Sequence, residues 1–270
     1  MELQRSLPDF ERQHIAIFAM SYDAVEVLHT FATKYGITYT LFSDVGSKVI
    51  RALGLLNEQV YEQHAAYGVP KQEHHYGVPY PGVFLLNVQG QVTEKRFQQS
   101  YRERETGVSI LEQGFGVDSS LHGPEVHAQA EGVKVRAYLD TDTYRFFQRL
   151  WLTLDLSIEP NLHVYGQPIP EGFIPLAIDV DPLPGLVVGE PQWPTPRSFR
   201  IEGLDEQFYI YEGSIRVTLP VTLTQEGDDQ MLKVIVRYQA CSHVGCFAPR
   251  AITLELPVRA ADHVERPRRR

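Results

Sequence analysis

Two spacings of apolar residues divide the chain. Up to about residue 113 the pattern alternates between helical and strand periods. Leu3, Leu7 and Phe10 recur at helical spacing within the polar stretch from Glu2 to His14, and His14 to Ser21 (HIAIFAMS) is a short apolar run suited to a buried strand. Asp23 is placed to cap a helix carrying Val27, Leu28, Phe31 and Ala32, with Gly36 as its stop. A further helix, Ser47 to Leu55, follows the turn SDVG. The runs GVFLLN and VTEKRF flank Gln89-Gly90 and read as a hairpin, and a last helix covers roughly Tyr101 to Gln113. Such alternation predicts an α/β layer fold.

From Gly114 to Pro124 the text GFGVDSSLHGP is rich in Gly and Ser and reads as a linker. Beyond it the period becomes two. Val133, Val135, Ala137 and Leu139 alternate with polar neighbours, as do Leu152 to Ile158, Ile215 to Leu223, Leu232 to Tyr238 and Ile252 to Val258. Broken by proline-rich turns such as DVDPLPG and EPQWPTP, these runs predict an antiparallel sandwich with one buried face per strand and almost no helix. The expected organisation is an α/β domain over 1–113, a linker over 114–124, a β-sandwich over 125–260 and a tail over 261–270.

With 43% hydrophobic and 22% charged residues in 270, the composition is that of a soluble globular protein that can build its core without disulfides. A formal net charge of −9 argues against nucleic acid as a partner, and the basic end RPRRR (Arg266 to Arg270) reads as a solvated tail. The sequence holds no long apolar run, so no membrane span is expected, and as written no export signal, which suits the cytoplasm, whereas an N-terminus lying further upstream would suit the periplasm.

The two cysteines, Cys241 and Cys246, lie between the last two strand runs in YQACSHVGCFAP. They sit at the ends of the loop Ser-His-Val-Gly, and opposed hairpin positions are close enough for a disulfide. Three readings stand. As a staple, a loop of about six residues removes only about 2 kcal/mol of unfolded-state entropy. As a zinc clip, Cys241, His243 and Cys246 lack a C-x2-C spacing and a second ligand pair nearby. As an exchanging pair, an accessible disulfide on a tight loop is what thiolate attack requires.

The run DEQFYIYEGSIRVTLPVTLT, then LKVIVRYQACSHVGCFAPRAITLELPV, resembles the N-terminal domain of the thiol:disulfide interchange protein DsbD and related disulfide bond corrector domains. The upstream IPLAIDVDPLPGLVVGEPQWPTP does so too, so that the likeness spans about 125–260. It implies an immunoglobulin-like sandwich whose cysteines, Cys241 and Cys246, cycle between dithiol and disulfide with thioredoxin-fold partners, supported by Tyr238. His243 is placed to raise the thiolate fraction of a neighbouring cysteine, against the plainer reading of a solvated loop histidine. The loop here has four residues between the cysteines where some relatives have five.

Residues 1–113 resemble redoxins, the thioredoxin-like AhpC/TSA group, through FAMSYDAVEVLHTFATKYGITYTLFSD, YGVPYPGVFLLNVQGQV and QQSYRERETGVSIL. This implies a cis proline at Pro81 before a strand. It also implies a reactive cysteine and a central strand ahead of the first helix, which the text from Met1 does not contain. An upstream segment supplying them is the expectation, and a scaffold that has lost its chemistry is the alternative. The repeat Tyr-Gly-Val-Pro at 67–70 and 76–79, flanked by His64, His74 and His75, reads as a duplicated loop rather than a metal site. No cofactor or metal is expected. The function expected is thiol-disulfide exchange with thioredoxin-fold proteins, with a link to peroxide reduction. The alternatives are a catalytically silent interaction protein with a structural disulfide, or a truncated peroxiredoxin-like protein.

Overall fold

The structure, a computed structural model, describes residues 2–66, 70–97, 104–119, 122–145, 147–200, 206–225 and 227–261, save the side chains of Glu2 and His74. The tail Arg266 to Arg270, the first Tyr-Gly-Val of the repeat and the start of the expected last helix lie outside these residues. The chain divides into two compact units, the first up to residue 120 and the second over 121–261.

In the first unit, helix α1 (Glu2–Arg12) leads to strand β1 (Phe18–Ser21), helix α2 (Val25–Tyr35) and strand β2 (Thr40–Ser43), which pairs in parallel with β1. Gly36 ends α2 in the left-handed conformation at φ 64°, where a side chain would be strained, and its N–H caps the Ala32 carbonyl. Asp23 does not cap α2. Ala24 holds that position, and the Asp23 carboxylate instead accepts from the Ser21 hydroxyl. The capping aspartate is Asp44, which accepts the amides of Val49 and Ile50 at the start of helix α3 (Lys48–Ala52). Burial opposes ionisation of Asp44, but the amides of Ile50, Val49 and Lys48 and the Lys48 charge outweigh it and hold the carboxyl below its ordinary range.

Helix α4 (Val60–Ala66) and a hairpin, β3 (Gly82–Leu86) and β4 (Val92–Phe97), follow. Asn87 shapes the hairpin turn by accepting the amides of Gln89 and Gln91. Helix α5 is short (Gly107–Ser109) and widens into a π-turn over Ile110–Gly114. Phe10, Leu85, Ile110 and Leu111 close a small core with Leu3, Ile15 and Ile17. Among the described residues the β1–β2 pair and the β3–β4 hairpin share no ladder, and Phe18, Met20 and Phe42 stay exposed on one face of the former. Of the expected core set of α2, Leu28 is buried while Val27 and Phe31 are exposed.

The cis bond expected at Pro81 is not there; among the described residues the cis peptide is Gln167-Pro168. The approach to β3 is extended: the Tyr80 amide donates to the Leu55 carbonyl, the Asn57 amide donates to that of Val78, and Pro79 bridges Leu56. A trans chain runs straight from that pairing into the strand, with no tight turn to select the cis isomer.

The second unit is built of strands: β5 (Val126–Ala130), β6 (Val133–Leu139), β7 (Thr143–Tyr144), β8 (Arg149–Ile158), β9 (His163–Tyr165), β10 (Ala177–Val180), β11 (Leu186–Val188), β12 (Arg197–Arg200), β13 (Gln207–Tyr211), β14 (Ser214–Leu223), β15 (Gln230–Tyr238), β16 (Ala240–Cys241) and β17 (Arg250–Ala260). They form sheets in the orders β11-β14-β8-β6-β5, β10-β15-β17-β7 and β12-β13-β9-β16. All pairs are antiparallel except β17 with β7. Register places apolar rows side by side, such as Leu139, Leu152 and Leu219 in the first sheet, and Val234 opposite Leu254 in the second. These rows fill one shared core. β17 buries Ile252, Leu254, Leu256 and Val258 and exposes the residues between them, the period-two pattern of a half-buried strand. β8 departs from one buried face per strand, because Trp151 and Thr153 are covered as well as Leu150, Leu152 and Leu154.

Both tryptophans, Trp151 and Trp193, lie in this unit, so tryptophan fluorescence during urea unfolding reports on the sandwich. Leu154→Ala, which empties a fully buried position, is expected to lower its stability by about 2–5 kcal/mol. Thr253→Ala on the outer face of β17 is expected to change it by about 0.5 kcal/mol or less.

Candidate functional site

The third sheet carries the chemistry-bearing residues, and alternation along its strands decides where each one points. In β16, Ala240 faces the main core while Cys241 joins a separate cluster with Tyr165, Phe208 and Ile210, rimmed by Ile169, Phe173 and Phe199. β9 does the same: Val164 opposite Ala240 enters the main core, whereas His163 stands directly across from Cys241. In β13, Ile210 pairs with Tyr165 on the cluster side and Tyr211 turns to the core. The aromatic rings interlock, with Tyr165 5.6 Å from Phe208 and Phe173 4.8 Å from Phe208 between centroids.

Cys241 and Cys246 are joined by a disulfide and form an antiparallel bridge. The Phe247 amide donates to the Ala240 carbonyl at 2.9 Å, and inside the loop the Ser242 amide donates to Gly245 at 2.8 Å. The Ser242 hydroxyl accepts the Val244 amide and donates to the Gly245 carbonyl, so this one side chain satisfies the tip of the turn. The two sulfur-bearing residues differ sharply: Cys241 is 1% exposed, whereas Cys246 is exposed, between Val244 at 98% and Phe247 at 42%. An incoming group therefore meets Cys246 on a partly apolar rim, with Cys241 behind it.

His163 is 3% exposed, its ring 4.9 Å from Phe199 and 5.3 Å from Tyr165 between centroids. Its Nε2 is buried without a hydrogen-bond partner among the described residues. Burial, the largest influence, pushes its pKa below the ordinary histidine value. Glu212 opposes the shift, and His243 and Arg197 add to it. Arg197 and Glu212 pair with each other at 2.8 Å. Burial also raises the Tyr165 phenol.

Of the residues singled out in the sequence, Cys241 and Cys246 come together, and His243 lies on the exposed loop with its ring 6.4 Å from Phe199. Tyr238 does not reach the disulfide cluster. It is fully buried in the main core, where its hydroxyl donates to the Ala130 carbonyl, and burial pushes its pKa up to about 12. His64 and His75 meet through their Nδ1 atoms at 3.0 Å, and among the described residues no group of three or more potential metal ligands gathers anywhere. His163, Tyr165, Phe199 and Phe208 are the site residues that sequence reasoning missed. The apolar alternation in HVY and QFYIY marks strands, but nothing local in it shows which strand lies beside the cysteines.

Comparison with known proteins divides the chain in the same two regions. Residues 131–257 match the family "Thiol:disulfide interchange protein DsbD, N-terminal", and residues 1–95 match the AhpC/TSA family. No curated protein matches the chain. Among solved structures, the reduced N-terminal domain of DsbD from Neisseria meningitidis is 17% identical over 40% of this chain and 77% of its own, with a TM-score of 0.30. The N-terminal periplasmic domain of ScsB from Proteus mirabilis is 16% identical over 52% of each chain, with a TM-score of 0.36. The GAE domain of GGA2p from Saccharomyces cerevisiae is 8% identical over 50% of this chain and 98% of its own, at 0.31. At these TM-scores none of the three likenesses bears on the fold.

Because the folded state keeps His163 neutral while an unfolded histidine takes a proton near pH 6.5, the unfolded chain binds more protons as pH falls. The contribution of this group is therefore present above about pH 6.5 and lost below it. Urea unfolding followed by tryptophan fluorescence from about pH 7.5 to about pH 5 is expected to show a smaller loss in His163→Gln than in the wild type. Tyr238→Phe removes the hydrogen bond to the Ala130 carbonyl and is expected to destabilise the sandwich by about 1 kcal/mol in the same assay.

Proposed function

We propose that the chain is a thiol-disulfide exchange protein that passes electrons between its Cys241–Cys246 pair and thioredoxin-fold partners. The observation that carries this reading is the asymmetry of the pair: one sulfur-bearing residue open on a hairpin loop, the other buried against an aromatic cluster. Exchange needs a sulfur that a partner can approach in line with the S–S bond and a second sulfur held close enough to resolve the mixed disulfide. Cys246 fills the first role and Cys241 the second. Val244 and Phe247 supply an apolar rim for docking a partner's active-site surface. The match of residues 131–257 to the DsbD N-terminal family supports the same chemistry and an immunoglobulin-like reading of the sandwich.

The match of residues 1–95 to the AhpC/TSA family supports a thioredoxin-like reading of the first unit. Both cysteines of the sequence lie in the second unit, so within this chain the first unit brings no thiol of its own to peroxide chemistry. Its role in this reading is to dock or present a partner. A second reading, a structural disulfide in an interaction protein, draws on the complete burial of Cys241 in an apolar cluster.

The reduction potential separates the two. A value near the thioredoxin range, about −270 mV, is expected for exchange, and one below about −300 mV would mark an inert bridge. Trapping adds direction: in Cys241→Ser the exposed Cys246 thiolate, attacking a thioredoxin-fold partner whose single active-site cysteine is activated as a thionitrobenzoate mixed disulfide and expelling thionitrobenzoate, is expected to accumulate the protein–partner mixed disulfide, while Cys246→Ser accumulates little. Equal trapping by both variants would sink the assignment of roles.

A further inference from the structure

The cluster around Cys241 holds one polar group whose chemistry the fold leaves unused. His163 sits across the β9–β16 ladder from Cys241, on the same side of the sheet, and directly opposed antiparallel positions hold their Cβ atoms about 4.5–5.5 Å apart. The hydrophobic side chains that share the cluster with Cys241 are Tyr165, Phe208 and Ile210, with Ile169, Phe173 and Phe199 at its rim. An imidazole nitrogen buried in such a place without a partner is costly, because it has given up water and gained nothing in return. A disulfide sulfur is a poor acceptor, so the oxidised pair gives this nitrogen little. A thiolate or thiol at Cys241 is a far better match.

We propose that His163 is a positioning residue for the redox pair, its Nε2 serving as the hydrogen-bond partner of the Cys241 sulfur when the disulfide opens. The proposal rests on the exchange reading above for its biological use, but not for its measurement. In the forward step a thiolate of the partner dithiol attacks the Cys246 sulfur. The Cys241–Cys246 bond breaks and its electron pair departs on Cys241, where an Nε2–H hydrogen bond stabilises the new anion until it takes up a proton from solvent. The partner's second thiolate then attacks the partner sulfur of the mixed disulfide and releases Cys246 as a thiolate. The protein disulfide has gained two electrons and the partner dithiol has become a disulfide. Closure of the pair reverses each step.

The charged and titratable groups around His163 shape this role. Glu212 at the end of β13 favours a protonated ring; Arg197 on β12 and His243 on the loop disfavour it; Tyr165, on the same strand, is held neutral by burial. In the oxidised protein burial, the largest influence, favours the neutral ring, which permits an Nε2–H donor without placing a buried cation beside the exposed Arg197. A thiolate at Cys241 adds a negative charge across the ladder from the ring, so reduction is expected to favour the protonated ring. The potential then acquires a pH dependence from His163 on top of that of the thiols.

The test uses the full chain equilibrated in glutathione redox buffers from about pH 5.5 to about pH 8, with the dithiol fraction read by alkylation and mass. No partner protein is needed, so a failure of the exchange reading would not disturb it. If glutathione cannot reduce the wild type, dithiothreitol buffers extend the range. His163→Phe is expected to shift the equilibrium about tenfold toward the disulfide and to flatten its pH dependence near the histidine range. His163→Gln keeps an amide donor and is expected to recover much of the shift but not the pH dependence. Wild-type values for His163→Phe, in both position and pH slope, would overturn the proposal. Nitrogen-15 NMR of the wild type covers the case in which the phenylalanine variant fails to fold. The His163 ring nitrogens are expected to shift when the disulfide is reduced, and resonances indifferent to reduction would overturn the proposal equally.

Discussion

Everything at the candidate site depends on a two-residue ladder, the pairing of β16 with β9. Ala240 lies opposite Val164 and Cys241 opposite His163. Because side chains alternate across a strand, this register sends the first pair into the sandwich core and the second into the aromatic cluster. A slip by one residue would put the cysteine into the main core and an alanine beneath the disulfide loop. The register is held from several sides: Tyr211 pairs with Val164 on the far edge of β9, the Phe247 amide returns to the Ala240 carbonyl, and Tyr238, just upstream, is locked into the core through the Ala130 carbonyl.

That frame explains why two cysteines in one short loop have different surroundings. Cys241 belongs to a strand and inherits the burial of the sheet; Cys246 belongs to the return of the loop and inherits its exposure. In the proposed exchange this division of labour is geometric before it is electronic. The resolving sulfur cannot leave, because its strand is fixed, and the entering partner cannot reach it, because the cluster covers it. Only then do the surrounding groups matter, through His163 across the ladder from Cys241 and the charges of the Arg197–Glu212 pair that act on its ring.

The long strands could be read from the sequence because alternation is a local signal. The sets Ile215 to Leu223, Leu232 to Tyr238 and Ile252 to Val258 fall in β14, β15 and β17 with the expected residues inward. The hairpin at Asn87 to Gly90 and the stop at Gly36 were visible for the same reason, since turn and cap chemistry involve neighbours in the chain. Tyr238 is instructive: its place in the alternating row assigned it to the core, and only family resemblance drew it toward the disulfide. His163 shows the converse. Its importance comes from which distant strand lies beside it, and register between distant strands leaves no mark in either strand alone. In the first unit the apolar pattern of α2 overstated burial. Leu28 is covered, but Val27 and Phe31 are exposed, and Asp23 leaves α2 without a side-chain cap while Asp44 accepts the first amides of α3.

In the proposed exchange the cysteine pair opens and closes without taking the fold with it, and the energetics of the loop allow this. Closing about six residues by a disulfide removes only about 2 kcal/mol of unfolded-state entropy. The sandwich, by contrast, is held by many fully buried side chains in facing rows, from Leu139, Leu152 and Leu219 in one sheet to Val234 and Leu254 in the other, and loss of a single such residue costs about as much as the disulfide or more. Opening the bond frees the Cys246 side of the loop. It leaves Cys241 where β9 and the Phe247 amide hold it. Stability and the state of the disulfide are therefore separable by construction, because the covalent link closes a short loop at the edge of the core rather than joining its layers.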